Sequence, residues 1–452
     1  MGRITIPSED AGLPIGRRSA HARDRGEDDV TSTTTRLLPA RVLSRRRVVT
    51  WLAAPFAAGM LGACATSLNT DPGATAAIPP AEAEKAARRP VKIAMLLPLA
   101  GFDQTAAIAK SMKQAGEMAL FERDNPHVQL IVKDDKGTFE GARAAAEEAL
   151  NDGAEVILGP LFAKAVEGAA AVARARNVPV IAFSNDTSVA GNGVYLMSFL
   201  AAPEVERIVA FTAGQGKRRF AALISDDAYG RMVEPVFRAA VARAGGTLVH
   251  SEIYPRQANA LHAPAKRLIE AIKREEAEGQ PVDALFLPAG QDVLPQIGPL
   301  LALNGIDPAR VKLIGTGAWE YPNIGRDATF VGGWYPGPDP QGWREFSERF
   351  ARTFGSAPPR VASLAFDAVA LSIALSANPP GQRYTAANLT RPEGFPGVDG
   401  TVAFLADGTS ERAMAVLEVQ TFGSNIADPA PASLASERLS QAQPSRVAPA
   451  GN

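Results

Sequence analysis

Short apolar segments alternate with helical patterns along the middle of the chain, and this alternation limits the fold more than any other feature. The first segment, Val91–Leu97, is apolar at every position except Lys92 and ends at Pro98. Apolar residues then recur at helical spacing from Ile108 to Ala119. Strands that are apolar along their whole length, when long helices separate them, indicate a parallel sheet covered on both faces. The sequence therefore predicts an α/β fold.

The alternation runs twice along the chain, which indicates two lobes. A first series of strands ends near Phe183, and the rhythm restarts after Pro203. Two amphipathic helices follow, and the segments 400–404 and 413–419 around Asp407 predict a β-hairpin. The folded part, about 91–421, is too long for one typical core. In such sheets a ligand binds beyond the carboxyl ends of the strands, so we expect a cleft between the lobes.

The N-terminal end predicts export and a lipid anchor. A run of arginines ending at Arg47 precedes an uncharged stretch, 48–63, which is shorter than the roughly 20 residues needed to span a bilayer. Cys64, the only cysteine, follows Leu-Gly-Ala and resembles the lipobox cysteine that becomes acylated. Residues 1–63 would then be a leader with a signal peptide; the alternative is a buried helix with an inert cysteine. Ser44–Val49 also resembles a twin-arginine export signal.

The segments that flank the folded part have a different composition. Residues 64–90 are rich in Ala, Pro and Glu without apolar periodicity, which predicts a flexible lipidated tether. Residues 422–452 are rich in Ala, Pro and Ser and are predicted to be disordered. The residue after Cys64 is Ala65, which favours sorting of a lipoprotein to the outer membrane. We therefore expect a periplasmic protein that is anchored to a membrane.

Composition and motifs argue against an enzyme and against nucleic-acid binding. The net charge of −1 provides no field that would attract nucleic acid. The domain contains no nucleophile elbow, Walker loop or dinucleotide-binding fingerprint, and its histidines are scattered without metal-ligand spacing. The pairs Asp134-Asp135 and Asp226-Asp227 follow strands, where they either perform acid–base chemistry or cap loops. The sequence thus predicts no catalytic residue, no metal and no cofactor.

Six segments carry a resemblance to a known family. They are 92–101, 134–135, 156–161, 178–182, 226–230 and 313–319. Their order is that of the type 1 periplasmic binding proteins, and they are most similar to the leucine/isoleucine/valine-binding branch. No segment is specific by itself, but together they cover nearly the whole folded part. The resemblance implies two Rossmann-like lobes with parallel sheets, joined by three crossings whose hinge closes the lobes over a ligand.

The resemblance also implies where each lobe begins and ends. The first lobe would comprise about 91–201 and 338–395, and the second about 202–334 and 398–421. The crossings are expected near Phe199–Pro203, Trp334–Pro338 and Phe395–Gly400.

Two loops of the first lobe are expected to bind an anion. In the family, the loop after the third strand and the loop after the fourth bind an amino acid's carboxylate through backbone N–H groups and hydroxyls. The first of these loops opens a helix, and a helix N-terminus favours an anion. The matching residues here are Leu161, Phe162, Ala163, Ser184, Asn185 and Asp186. For Ser184 and Asn185, ordinary turn chemistry is the alternative.

Residues of three further loops complete the expected site. Tyr229 matches a family position that contacts the ligand, although a core position at a helix start is the alternative. The loops after the first strand and after the last parallel strand are expected to line the cleft with Gly101, Phe102, Trp319 and Glu320.

Two departures from the family pattern concern the ligand itself. The acid that pairs with a ligand ammonium in the family aligns with Gly317, which carries no charge. Glu320 is the candidate substitute, unless it is a solvated loop acid. Phe162 and Asp186 stand where small or hydroxylated residues are common, and the Asp186 carboxylate would repel a ligand carboxylate.

Two functions fit the sequence. The first is a receptor that binds a small polar, amino-acid-like ligand and delivers it to the permease of an ABC transporter. The alternative is an interaction protein, because similar lobes occur in outer-membrane lipoproteins that activate penicillin-binding proteins in peptidoglycan synthesis. Such an activator would need no small ligand.

Overall fold

The structure, a computed structural model, describes residues 90–100, 103–257 and 260–435. The leader and the lipidation site Cys64 therefore lie outside the described residues, and so do Gly101 and Phe102 of the expected cleft. The described part folds into two α/β lobes. Each lobe has its own sheet and its own apolar core.

The first lobe is built on a parallel sheet with helices on both faces. Its strands are β1 Val91–Leu97, β2 Val128–Asp134, β3 Ala154–Leu158, β4 Val180–Ala182 and β5 Val194–Leu196. Its first helices are α1 Gln104–Arg123, α2 Phe139–Asn151 and α3 Ala163–Ala175. The strand order β2-β1-β3-β4-β5 reverses direction between β1 and β3. A sheet of this kind opens a crevice at the carboxyl ends of those two strands, which is where ligands bind.

The remaining elements form the second lobe and one return to the first. The helices are α4 Ala201–Gly214, α5 Ala228–Arg243, α6 His262–Ala277, α7 Leu294–Leu303, α8 Pro340–Phe354, α9 Ala362–Leu375 and α10 Ala386–Leu389. The strands are β6 Arg219–Ser225, β7 Thr247–Tyr254, β8 Ala284–Phe286, β9 Lys312–Ile314, β10 Trp334–Gly337, β11 Val402–Phe404, β12 Ser410–Arg412, β13 Ala415–Val419 and β14 Ser424–Asp428.

The second sheet is mixed, with the order β14-β13-β10-β9-β8-β6-β7. It is parallel from β10 to β7, whereas β13 and β14 run antiparallel at one edge. The predicted α/β class with two Rossmann-like lobes is confirmed. The antiparallel edge is the part of this sheet that the alternation of strands and helices does not predict.

Helices α8 and α9 belong to the first lobe. Phe346 of α8 and Val369 of α9 share one core with Met95 of β1. Helix α1 packs closely against this core because Gly116 has no side chain: a Cβ there would lie 2.5 Å from the Met95 Cε atom. The chain thus leaves the second lobe after β10 and covers one face of the first sheet.

The hairpin of β11 and β12 also belongs to the first lobe, and this corrects two predictions. Val402 and Phe404 lie in the same core as Tyr195 of β5, with 5.6 Å between the centroids of the Tyr195 and Phe404 rings. The Ser410 hydroxyl donates to the Leu196 carbonyl at 2.6 Å. The partner of β11 is therefore β12 and not 413–419, because the tight turn at Asp407 pairs the residues that flank it directly.

The three crossings lie where the chain passes between the two cores. The first is 197–200 between β5 and α4, the second is 338–339 between β10 and α8, and the third is 413–414 between β12 and β13. The expected third crossing at Phe395–Gly400 is wrong, and residues 398–412 do not belong to the second lobe. Phe395 and Val402 exchange backbone hydrogen bonds within the first lobe.

The segment after Thr421 is ordered as far as it is described, so the prediction that disorder begins at 422 is wrong. Strand β14 pairs with β13 over Ser424–Asp428. The Ser424 hydroxyl lies 2.8 Å from the Tyr335 hydroxyl, and the Asp428 carboxylate lies 2.5 Å from the Arg207 guanidinium. The Ala/Pro/Ser composition does not indicate this short edge strand, because the residues that stabilise it are distant in sequence.

Every helix within the described ranges is too short or too polar to span a bilayer.

Removing β14 should destabilise the protein. A chain ending at Gln420 loses the ladder on β13 and the two side-chain contacts of Tyr335 and Arg207, so we expect a free energy of unfolding lower by roughly 2–4 kcal/mol. A chain ending at Ala435 is the matched control. Urea unfolding of both proteins measures the difference, and equal stability would show that β14 contributes nothing.

Candidate functional site

The candidate site is the space next to the carboxyl ends of the parallel strands of both lobes. The first lobe contributes the loops after β1, β3 and β4, and the second contributes the loops after β6, β8 and β9. The start of α4 lies at the same end, because α4 directly follows the first crossing.

The loop after β3 presents an open helix N-terminus. Phe162 has extended backbone angles and precedes α3, and within the described ranges no side chain caps this helix. The first N–H groups of α3, beginning at Ala163, therefore remain available to an anion. Phe162 itself is 40% exposed, and its ring lies beside Gly137 and Pro98 at the rim. Leu161 is half-buried and packs against the core of the first lobe.

The loop after β4 combines a turn with one available hydroxyl. The Ser184 side chain is buried, and its oxygen accepts from the Asp186 N–H at 3.2 Å. Asp186 in turn accepts from the Ser188 N–H at 2.9 Å, and hydrogen bonds from Ser188 hold the pKa of Asp186 below its usual value. Asn185 is exposed. The hydrogen bonds of Ser184 and Asp186 to backbone N–H groups thus fit the alternative of ordinary turn chemistry. The Ser184 hydroxyl can still donate its own hydrogen to a ligand.

The aspartate pairs cap loops. The Asp134 carboxylate accepts from the N–H groups of Leu99 and Ala100, at 2.9 and 3.3 Å, and so ties the loop after β1 to β2. Asp227 caps α5 by accepting from the Gly230 N–H at 2.7 Å. Among the described residues, no three acidic, histidine or cysteine side chains lie together in a way that would hold a metal ion.

Tyr229 lies at the site but is already engaged. Its hydroxyl donates to the Thr316 hydroxyl oxygen at 2.9 Å. Burial raises the pKa of Tyr229, and the charge of Glu204 raises it further. The phenol therefore remains a neutral hydrogen-bonding group at physiological pH.

Trp319 is a core residue, so the expectation that it lines the cleft is wrong. Its side chain is fully buried, and its indole N–H donates to the Leu287 carbonyl at 3.0 Å. The ring occupies the space beside Gly315, where a Cβ would lie 2.1 Å from the indole nitrogen. The position of Trp319 after β9 predicted a place in the cleft. The ring lies in the core instead, because Gly315 has no side chain to fill that space.

Glu320 pairs with the other lobe. Its carboxylate accepts from the Arg360 guanidinium at 3.0 Å, and Arg360 also contacts Asp399 at 2.8 Å. Burial raises the pKa of Glu320, and the charge of Arg360 opposes that shift. The carboxylate is thus committed to an interlobe ion pair, and this weakens the prediction that it receives a ligand ammonium.

The structure brings Glu204, which sequence reasoning missed, to the position of the absent acid. Glu204 is in the first turn of α4, and its carboxylate accepts from the Gly317 N–H at 3.0 Å. A Cβ on Gly317 would lie 2.8 Å from the other Glu204 oxygen. Burial raises the pKa of Glu204 to about 7, the Gly317 N–H opposes this, and the charge of Glu320 adds to it. The only sequence signal was an acid at a helix start.

The two lobes thus offer complementary chemistry. The first provides backbone N–H groups at α3 and the Ser184 hydroxyl, which are donors for an anion. The second provides the Glu204 carboxylate and the Tyr229 phenol, which are suited to a cation or a hydrogen-bond donor.

The similarity of the chain to known proteins agrees with this geometry. Residues 90–425 match the periplasmic binding protein family, so the chain belongs to that family and the resemblance in its sequence is confirmed. An uncharacterised protein of Rickettsia prowazekii (strain Madrid E) is 21% identical over 184 residues, which are 41% of this chain and 48% of that protein. The chain thus spans about half the length of this relative.

Solved structures share the fold. A putative branched-chain amino acid ABC transporter protein from Rhodospirillum rubrum is 19% identical, with a TM-score of 0.65 over 75% of this chain and 99% of its own. A substrate-binding protein from Desulfitobacterium hafniense in complex with Leu is 20% identical, with a TM-score of 0.54 over 75% and 100%. A solute-binding protein from Rhodopseudomonas palustris BisB5 in complex with 3,4-dihydroxybenzoic acid is 19% identical, with a TM-score of 0.53 over 75% and 98%.

Replacing Glu204 by Gln should change how stability depends on pH. The folded pKa of about 7 lies above the ordinary 4.5, so ionising Glu204 opposes folding. Below pH 4.5 the carboxyl is neutral in both states and does not oppose folding. As pH rises from 4.5 through about 7, the carboxyl ionises more readily in the unfolded state, so the free energy of unfolding falls. At pH 8 the variant should exceed the wild type by on the order of 2–3 kcal/mol at most.

Urea unfolding of both proteins between pH 5 and pH 8 measures this difference. The matched control is Glu206→Gln, because Glu206 is on the same helix but exposed and paired with Arg243 at 2.7 Å. A pH dependence of Glu204→Gln that runs parallel to that of the wild type would refute the assignment.

Proposed function

We propose that the protein is an extracytoplasmic solute-binding lipoprotein that closes its two lobes on a small, amino-acid-like ligand and delivers it to the permease of an ABC transporter. The observation that carries this proposal is the Glu204 carboxylate beside Gly317, at the strand ends of the second lobe. It supplies the negative charge that the sequence lacks at position 317. The open N-terminus of α3 supplies the complementary donors.

The ligand's carboxylate binds at the first lobe in this proposal. Helix α3 is uncapped among the described residues, and the Ser184 hydroxyl lies buried at the end of the neighbouring strand β4. Two structures with the same fold hold Leu and 3,4-dihydroxybenzoic acid, and both ligands carry a carboxyl group. The Asp186 carboxylate is engaged with Ser188, which lessens its repulsion of a ligand carboxylate.

The ligand's ammonium binds at the second lobe, on Glu204 and beside Tyr229. A cationic group next to Glu204 lowers its pKa, because it stabilises the ionised form. Binding of an amino acid should therefore release the proton of Glu204 near neutral pH, where that group is partly protonated in the free protein. The Tyr229 phenol keeps its proton and offers hydrogen bonds only.

Glu204→Gln should remove the preference for an amino group. We expect the wild type to bind leucine more tightly than 4-methylpentanoate, which is leucine without its ammonium. In the variant leucine should lose roughly 10- to 100-fold in affinity, the usual scale of a hydrogen bond to a charged group, while 4-methylpentanoate changes little. Calorimetric titration of both ligands measures this.

Glu206→Gln serves as the control, since it removes a charge from the same helix away from Gly317. If none of the twenty amino acids raises the melting temperature of the wild type, the receptor proposal fails. If leucine binds and Glu204→Gln leaves its preference over 4-methylpentanoate unchanged, only the role of Glu204 fails.

A second candidate function rests on the N-terminal sequence. Cys64 followed by Ala65 supports an anchor in the outer membrane, and an activator of penicillin-binding proteins has to remain at a membrane that faces peptidoglycan. Replacing Cys64 by Ala distinguishes the two functions. A receptor without its lipid should keep its ligand affinity within about twofold, whereas an activator should fold normally but no longer capture a peptidoglycan synthase from membranes. Capture by the lipidated protein without any ligand response would favour the activator.

A further inference from the structure

A second concave site lies between the lobes, and it shares only the loop after β9, with Glu320, with the candidate cleft. It has a volume of about 690 Å³, which is in the range of small-molecule sites. We call it the aromatic groove and define it by Tyr321, Arg326, Tyr335, Trp343, Arg344 and Phe422. Of the six loops expected to line the cleft, only the one after β9 also contributes here.

The walls of the groove come from three parts of the fold. Tyr321 and Arg326 follow β9 in the second lobe, and Phe422 is in the turn between β13 and β14. Trp343 and Arg344 are in the first turns of α8, which packs on the first lobe. A ligand in this groove therefore contacts both lobes.

The apolar part of the groove is aromatic and partly exposed. Phe422 is 90% exposed, and it lies at the groove together with the half-buried rings of Tyr321 and Trp343. Aromatic walls bind flat apolar ligands through area and ring stacking. An exposed aromatic cluster of this kind marks a binding surface more often than a single apolar residue does.

The charge of the groove is positive. Its charged lining residues are Arg326, Arg344 and Arg360 with the single acid Glu320, and Glu320 already accepts from Arg360 at 3.0 Å. The guanidinium groups of Arg326 and Arg344 are exposed, and within the described ranges neither has a hydrogen-bond or ion-pair partner. Guanidinium groups bind carboxylates and related planar anions with paired hydrogen bonds.

We propose that the aromatic groove binds a small organic anion that carries a planar apolar body. Arg326 of the second lobe and Arg344 of the first hold its anionic group, and the rings of Trp343 and Phe422 cover its apolar part. Because the two arginines belong to different lobes, such a ligand bridges the lobes outside the cleft. A cationic ligand is disfavoured, since the only carboxylate of the lining is paired.

The test is calorimetric titration of the protein with naphthalene-2-carboxylate and with its neutral amide, naphthalene-2-carboxamide. The carboxylate should bind at least tenfold more tightly than the amide. Arg326→Gln and Arg344→Gln should each weaken carboxylate binding at least fivefold and leave amide binding unchanged. Arg352→Gln is the matched control, because Arg352 is another exposed arginine of α8 and lies outside the groove.

Several results would overturn the proposal. They are no binding of the carboxylate at millimolar concentration, equal affinity for both probes, equal effects of Arg352→Gln and Arg344→Gln, and unchanged affinity in Arg326→Gln and Arg344→Gln. Loss of carboxylate binding in Glu204→Gln would place the probe in the cleft and would also overturn it. The leucine titration is a separate measurement, so failure of the groove leaves the proposed function standing, and the reverse holds as well.

Discussion

A group of charged side chains next to the crossings connects the two lobes, and three of its members, Asp367, Asp399 and Arg412, are buried in the first lobe. Arg360 joins Glu320 of the second lobe to Asp399 of the first, with contacts of 3.0 and 2.8 Å. Arg412, in the strand before the third crossing, lies 3.9 Å from Asp367, whose pKa burial raises to about 7 against the attraction of Arg412. Buried charges are costly when they lose a partner, so Asp367, Asp399 and Arg412 depend on the position of their partners.

Contacts between residues distant in sequence explain why the third crossing escaped prediction. Val402–Phe404 and the turn at Asp407 predict a hairpin, and a hairpin is present. Which lobe it joins is decided by contacts far away in sequence, such as the one between Phe404 and Tyr195. The α/β class could be predicted because it depends on local periodicity. The edge strand β14 could not, since its partners Tyr335 and Arg207 lie about 90 and 220 residues away along the chain.

In the candidate site, too, local features could be predicted and contacts between residues distant in sequence could not. The loops around Ser184 and Tyr229 could be placed from their order along the chain, because parallel strands bring their carboxyl ends to one edge. Glu204 could not, since its importance comes from the missing side chain of Gly317, with which it is in contact across 113 positions of sequence. Trp319 shows the opposite error: a residue in a cleft loop became a core residue because Gly315 leaves space for its ring. The positions of Glu204 and Trp319 thus both differ from the prediction because a neighbouring glycine has no side chain.

The interlobe ion pair and the acid of the cleft are linked through one residue. The charge of Glu320 raises the pKa of Glu204, and Arg360 supplies the positive charge that offsets Glu320. A motion that separates Arg360 from Glu320 removes this offset, so the negative field of Glu320 acts on Glu204 with less compensation and favours its protonated form. In the proposed function, a ligand ammonium pairs with the ionised form of Glu204. In the proposed function, closing the lobes with the ion pair formed and binding a cationic group would therefore favour each other, because both stabilise the ionised form of the half-buried Glu204 carboxylate.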